Sequence, residues 1–238
     1  MVLRVNEIYA SFQGEGPNVG APTLFVRFVG CNLKCPGWPC DTQHAIDPAI
    51  YRHEMEKFNV DEFVQRVVSS WHPGMNICFT GGEVTLQPID ELERALSRIT
   101  AHTGADLELF TNGTLRWSQG FRGLFKTITL DWKLPGAGEL FTFGQMKHVE
   151  ENIKQLHAGD AIKFTVKDDY DFAEAVKRYR QLHHENPTWI GMPEIYCGPV
   201  WGCATAEEVA AMIMDEALPW FLNVQTHKYI WNPDQRRT

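Results

Sequence analysis

Short apolar runs alternate with amphipathic stretches along nearly the whole sequence, and this alternation leaves few folds open. Segments 24–29 (LFVRFV), 76–80 (NICFT), 107–111 (LELFT), 127–131 (TITLD), 161–166 (AIKFTV) and 220–224 (WFLNV) read as short buried strands. Between them 60–71, 89–103, 149–157, 169–183 and 206–217 carry the amphipathic pattern of helices. Asp61 and Asp90 fall near two of the helix starts, where a carboxylate meets the positive end of the dipole. Strands that recur after a helix return parallel, so the expected class is α/β built from βαβ units. The units are too few for a closed eight-unit barrel, which takes about 250 residues. The Pro/Gly-rich segments 35–40 (CPGWPC), 133–138 (KLPGAG) and 197–202 (CGPVWG) read as loops after strands, where parallel α/β folds gather their chemistry.

Charge narrows the partners. With 22 Lys and Arg against 30 Asp and Glu the formal net charge is −8, whereas a nucleic-acid binder presents a basic excess that displaces counterions. Arg236–Arg237, the one basic pair near an end, reads as a solvated tail. No apolar run approaches the roughly 20 residues of a membrane span, and the first residues lack the layout of a signal peptide. The expectation is a cytoplasmic protein acting on a small molecule, with no nucleic acid and no membrane. Its six cysteines are then metal ligands, nucleophiles or buried hydrophobes before they are disulfides.

Three of the six, Cys31, Cys35 and Cys40, lie within ten residues on a segment that begins where LFVRFVG ends. Three thiolates can leave one iron of a 4Fe–4S cube open to an exogenous chelating ligand. The spacing also admits a zinc site completed by His44 or His53, or three unrelated thiols. Cys78 lies in an apolar strand pattern and reads as core packing. Cys197 and Cys203 read as incidental thiols, with a second metal site as the alternative.

After the next strand comes Thr80–Gly81–Gly82–Glu83, and the cysteine loop and this GGE turn together resemble the radical S-adenosylmethionine (SAM) superfamily. The ordered set Phe12–Gly16 (FQGEG), Arg27, Asp41–Thr42 after the third cysteine, TGGE at Thr80, DWKLPG from Asp131, IKF at Ile162 and QTHKY from Gln225 is similar to the 7-carboxy-7-deazaguanine synthase family. That family contracts a pterin ring on the route to queuosine and other 7-deazapurines. The likeness runs from about Arg4 to Trp231. Two features depart from it: the cysteine spacing is C-x3-C-x4-C where C-x3-C-x2-C is common, and the usual GGEP is GGEV, with Val84 for proline.

The resemblance implies an incomplete parallel (β/α) barrel, one domain over 1–238. It implies a 4Fe–4S cluster on Cys31, Cys35 and Cys40, with SAM chelating the open iron. The cosubstrate would then meet Pro39, Asp41, Gly82, Glu83, Asp131, Trp132 and Lys133. A 5′-deoxyadenosyl radical would abstract the C6 hydrogen of 6-carboxy-5,6,7,8-tetrahydropterin, and ring contraction with loss of ammonia would give 7-carboxy-7-deazaguanine. Phe12, Gln13, Gly14, Glu15, Arg27, Thr80 and His227 are the implied substrate contacts, Arg27 pairing with the carboxylate. Thr42 is the implied Mg2+ ligand, water and substrate oxygens completing the octahedron. An external one-electron reductant, flavodoxin-like or other, and a homodimer are implied as well; no protein general base is assigned.

Taken without the resemblance, these residues have plainer readings. FQGEG is a turn, Asp41 and Thr42 cap one, DWK is a strand-end ion pair, and His227 is structural. Two rival functions share parts of the pattern: a radical SAM activase that installs a glycyl radical on a partner protein, and a zinc-stabilised binding module without catalysis.

Overall fold

The computed structural model describes residues 1–38, 40–47, 52–138, 141–185 and 191–232; Pro39 and the Arg236–Arg237 pair therefore lie outside the described residues. The strands are β1 (Leu3–Phe12), β2 (Pro22–Phe28), β3 (Glu56–Phe58), β4 (Asn76–Gly81), β5 (Leu107–Thr111), β6 (Thr127–Asp131), β7 (Ala161–Val166), β8 (Glu194–Pro199) and β9 (Phe221–Leu222). They form one sheet in the order β3-β1-β2-β4-β5-β6-β7-β8-β9. Every pair from β2 onward is parallel, while β1 pairs antiparallel with both β2 and β3. The order begins at β3 and ends at β9 without closing, which is the α/β, incomplete parallel arrangement expected.

The helices are α1 (Gln43–Ile46), α2 (Val60–Ser70), α3 (Ile89–Thr103), α4 (Gln119–Arg122), α5 (Phe143–Ile153), α6 (Asp169–Glu185), α7 (Ala206–Asp215) and α8 (His227–Ile230). Local chemistry sets their ends. Asn59 and Glu62 form a reciprocal capping box on α2, as do Thr142 and Gln145 on α5 and Thr205 and Glu208 on α7, each cap worth about 1 kcal/mol. Asp61 and Asp90 do sit in first turns. Helix α3 stops at Gly104, whose φ of 66° is left-handed. Among the described residues no helix is long and apolar enough to cross a membrane.

Strand parity decides what faces where. Leu24, Val26, Phe28, Ile77, Phe79, Leu109, Ile128, Leu130, Ile162 and Phe164 point into one continuous core beneath the helices. The alternate positions face the concave side and are largely polar. This division explains the three strands absent from the sequence reading. Strand β1 buries Asn6 and Glu7 next to Val5, so it has no apolar period; β3 has three residues. In β8 the run EIYCGP ends in Gly and Pro and reads as a loop, but Cys197 is inside the strand and Pro199 closes it opposite Val166. Helix α5 begins at Phe143 rather than 149, because its start is the Thr142 capping box and not an apolar repeat.

Candidate active site

A cleft opens at the C-terminal ends of the parallel strands, lined among others by Tyr9, Arg27, Thr80, Phe110, Asp131, Lys163 and Thr165 from their inward faces. Cys31, Cys35 and Cys40 all border it. The loop that carries them leaves β2 at Gly30, whose N–H donates to the Ala45 carbonyl at 2.7 Å and so closes the segment against α1. Cys31 Sγ accepts from the Leu33 N–H at 3.4 Å and from Asn112 Nδ2 at 3.8 Å, and Cys40 Sγ lies 3.5 Å from Thr42 Oγ1. Cys35 is held at φ 44°, buried with Leu33 and Ala137. Burial pushes the Cys31 thiol up to about 12; the Leu33 amide pulls down, while Glu83, Cys35 and Cys40 push further up. A thiolate at Cys31 therefore needs positive charge brought into the cleft, which an iron–sulfur cluster supplies. Among the described residues no three His, Cys, Asp or Glu side chains converge as ligands of a single ion. A cube takes each thiolate at a separate corner and does not ask for that convergence.

The TGGE turn is stitched to the start of this loop. Gly82 N–H donates to Phe28 O at 3.1 Å and Glu83 N–H to Gly30 O at 2.7 Å; a Cβ on Gly82 would overlap the Gly30 carbonyl, so only glycine permits the approach. The Glu83 carboxylate is buried and saturated by the Thr85 hydroxyl (2.7 Å), the Thr111 hydroxyl (2.7 Å), Asn112 N–H (2.8 Å) and Thr85 N–H (3.1 Å). With these four donors the carboxylate holds the turn. Asn112, fixed by Glu83, is the residue that reaches Cys31.

A ladder of charges lines the same cleft. Arg27 donates from Nε to Glu7 at 3.1 Å and from Nη2 to the Tyr9 hydroxyl at 2.9 Å, and Nη1 has no acceptor among the described residues. Lys163 spans Glu15 (2.8 Å) and Asp131 (3.3 Å), and Lys133 also bonds Asp131 (2.9 Å). Burial alone would lower the Lys163 and Lys133 pKa values, but Glu15 with Asp131 for the first, and Asp131 for the second, raise them. Burial would likewise raise Asp131, yet Lys133 and Lys163 hold it below its ordinary value. All three stay charged at neutral pH. Asp131 Oδ1 and Thr165 Oγ1 are buried without a partner among the described residues, unfinished polar atoms that suit a polar ligand.

Fifteen of the eighteen sequence-derived site residues border the cleft, and the geometry revises several roles. Gln13 donates Nε2 to Glu108 at 2.9 Å, and its Oε1 accepts the Gly14 N–H at 3.0 Å. Its amide is thus engaged inside the protein by one bond at each end. Asp41 Oδ2 takes Gln225 Nε2 (3.0 Å) and Lys228 Nζ (3.2 Å), tying the cysteine loop to the C-terminal segment. Thr42 precedes α1 without capping it through its side chain. His227 packs against Gly14, and Phe12 is half exposed at the rim. Trp132 is a correction: its indole turns away from the cleft, stacked 5.9 Å from Phe164 and 5.0 Å from the Arg178 guanidinium. Pro39 is outside the described residues. Cys78 is buried but borders the cleft floor, whereas Cys197 is a core residue whose thiol burial pushes up to about 12, and Cys203 is exposed.

Glu7, Tyr9, Glu108, Asn112 and Lys163 were missed as site residues. Lys163 carried a signal, a charge within an apolar strand run.

No family model matches the chain. It is 32% identical over 232 residues to the 7-carboxy-7-deazaguanine synthase of Methanospirillum hungatei, covering 97% of this chain and 86% of that one. It is 30% identical over 241 residues to the enzyme of that name from Clostridium acetobutylicum, covering 99% of each. In fold it is similar to the crystal structure of QueE from Escherichia coli, with a TM-score of 0.63 at 17% identity over 94% of both chains.

Proposed function

The chain belongs to the 7-carboxy-7-deazaguanine synthase family, and on that premise we propose that it converts 6-carboxy-5,6,7,8-tetrahydropterin to 7-carboxy-7-deazaguanine and ammonia at this cleft. The observation that carries the reading is the union, in one cleft, of three thiols, the GGE turn and a ladder of charged side chains.

Cys31, Cys35 and Cys40 would hold the 4Fe–4S cluster. The backbone at Gly82 and the charges of Asp131 and Lys133 would hold SAM. Bound there, cluster and sulfonium supply the one-electron cleavage that yields the hydrogen-abstracting radical. The protein's own part is placement. Arg27, oriented by Glu7 and Tyr9, keeps Nη1 for the substrate carboxylate. Glu15, Gly14, Thr80 and His227 stand around the same space, and burial lowers the His227 pKa so that its ring is neutral at pH 7. A neutral imidazole can share a proton with the pterin without adding charge. Tyr9 stacked 5.3 Å from Phe25, with Phe110 and Trp201, keeps the cavity apolar around the polar contacts. Mg2+ would bind through the Thr42 hydroxyl, with water and substrate oxygens completing the shell. An external one-electron reductant and a homodimeric state belong to the same proposal.

Anaerobic reconstitution with iron and sulfide, reduction, and addition of SAM and the pterin test it. The expected product is lighter than the pterin by one ammonia; an activase would leave the pterin untouched, and a zinc module would take up no sulfide. Thr42→Ala should keep the cluster and lose the response of turnover to added magnesium, which a magnesium titration of the two proteins measures.

A further inference from the structure

Four residues separate Cys35 from Cys40, and the second of them, Gly37, is pinned from three directions. Its N–H donates to Ala137 O at 2.9 Å, and its carbonyl accepts Lys167 Nζ at 2.9 Å. On the third side a Cβ would overlap the Gly136 carbonyl. The surface it meets is itself fixed. The buried Asp171 carboxylate accepts Gly136 N–H at 2.6 Å and Lys167 N–H at 3.1 Å. Asp171 N–H is held in turn by Asp168 at 3.0 Å. A Cβ on Gly136 would overlap that carboxylate. Beside the contact Cys35, Leu33 and Ala137 form a small apolar cluster, with Trp38 and Phe141 packed on it and Lys133 Nζ 5.6 Å over the Trp38 ring.

We propose that Lys167 and Asp171 are positioning residues for the cysteine loop, acting through Gly37 and the 135–138 turn to hold Cys35 where the cluster needs its sulfur. Cys35 adopts φ 44°, a conformation that a non-glycine residue keeps only when its surroundings over-determine it. The constraint comes from the turns after β6 and β7, far from the cysteines in sequence. The longer spacing before Cys40 is thus a docking segment and not slack. Asp171 sets the Gly136 and Lys167 backbones, and Lys167 then closes on Gly37 from outside.

This rests on the cluster reading above, and the test separates the two. Wild type, Lys167→Met, Lys167→Arg and Gly37→Ala are reconstituted anaerobically, assayed for iron and sulfide, and followed for iron loss to a chelator; thermal midpoints are taken on the apo chains. Loss about tenfold faster is expected in Lys167→Met, the effect of one charge-assisted hydrogen bond, and at least as fast in Gly37→Ala, whose Cβ would overlap the Gly136 carbonyl. Lys167→Arg should stay near wild type, and the apo midpoints of the two Lys167 variants should coincide with that of wild type. The reduced clusters of the two fast-losing variants should give heterogeneous electron paramagnetic resonance signals where wild type gives one. Wild-type rates and spectra in those variants would overturn the inference, as would losses that merely track lowered apo midpoints. A wild type that takes up no iron and sulfide overturns the cluster reading itself, and this inference with it.

Discussion

Arg122, buried, and Arg27, mostly buried, are arginines at opposite ends of one sheet, and they are completed to different degrees. Beneath the N-terminal ends of β6 and β7, Arg122 donates to Phe125 O (2.9 Å), Gln155 O (3.2 Å), the His157 ring and the Asp160 carboxylate. Asp160 also takes the N–H groups of Ile128 (2.8 Å) and His157 (2.9 Å). All three guanidinium nitrogens and both carboxylate oxygens are used. At the other end Arg27 keeps Nη1 open, and Asp131 Oδ1 and Thr165 Oγ1, both on the cleft lining, are buried without partners among the described residues. Polar atoms left open on the lining of a cleft are ones that a ligand can complete. Buried orphans also occur away from the cleft, Gln155 Oε1 and Trp117 Nε1 among them, so it is the conjunction of open atoms with the cysteines at one cleft that marks the working end.

The strongest way to break this contrast is to empty the working end. Cys35→Ala should abolish cluster retention and turnover while the apo protein keeps its circular dichroism spectrum; normal 5′-deoxyadenosine formation by that variant would remove the cysteine loop from the chemistry. Next comes the closed end. Arg122→Ala leaves Asp160 as an unpaired buried charge and should cost about 3–5 kcal/mol of stability, measured by denaturant unfolding. Turnover per folded molecule should not change. A stable Arg122→Ala with impaired catalysis would invert the assignment of the two ends.

Arg27→Lys sharpens the comparison from the other side. Lysine keeps the charge beside Glu7 but loses the planar fork, so kcat/KM for the pterin should fall about 10–100-fold, the worth of one charged hydrogen bond. The thermal midpoint should move far less than in Arg122→Ala. Equal destabilisation by the two substitutions would mean that Arg27 is as much a structural pair as Arg122.

What the sequence revealed follows the same division. Short apolar runs exposed β2, β4, β5, β6 and β7, and the period of two within a strand assigns the side that faces the helices. It also held the correction at Trp132: with Asp131 facing the cleft, the next residue of the chain faces the helices. The concave side was harder to read. Its residues are polar and find their partners across the sheet, Gln13 on Glu108 and Lys163 on Glu15, and nothing local signals such pairs. Arg27 stood out as a charge inside LFVRFV, and Lys163 carries the same mark inside AIKFTV. Glu7 and Tyr9 carried none, since β1 has no apolar repeat for them to interrupt.

His227 gives the smallest effect and tests whether the C-terminal segment truly completes the wall. Burial lowers its pKa below 6.5, Glu15 opposing and Lys228 assisting. The unfolded chain therefore takes up the proton before the folded chain does as the pH falls. The ring's contribution to stability is fully present above about pH 6.5 and is lost as the pH falls through the folded value. His227→Gln cannot gain that proton, so the drop in apo thermal midpoint between about pH 7.5 and about pH 5.5 should narrow in the variant. The contact between His227 and Gly14, with Thr226 N–H on Gly14 O at 3.1 Å, is what keeps the ring out of water. An identical pH slope in wild type and variant would mean that the ring is equally hydrated in both states, and the wall beside Gly14 would then be open to solvent at this point.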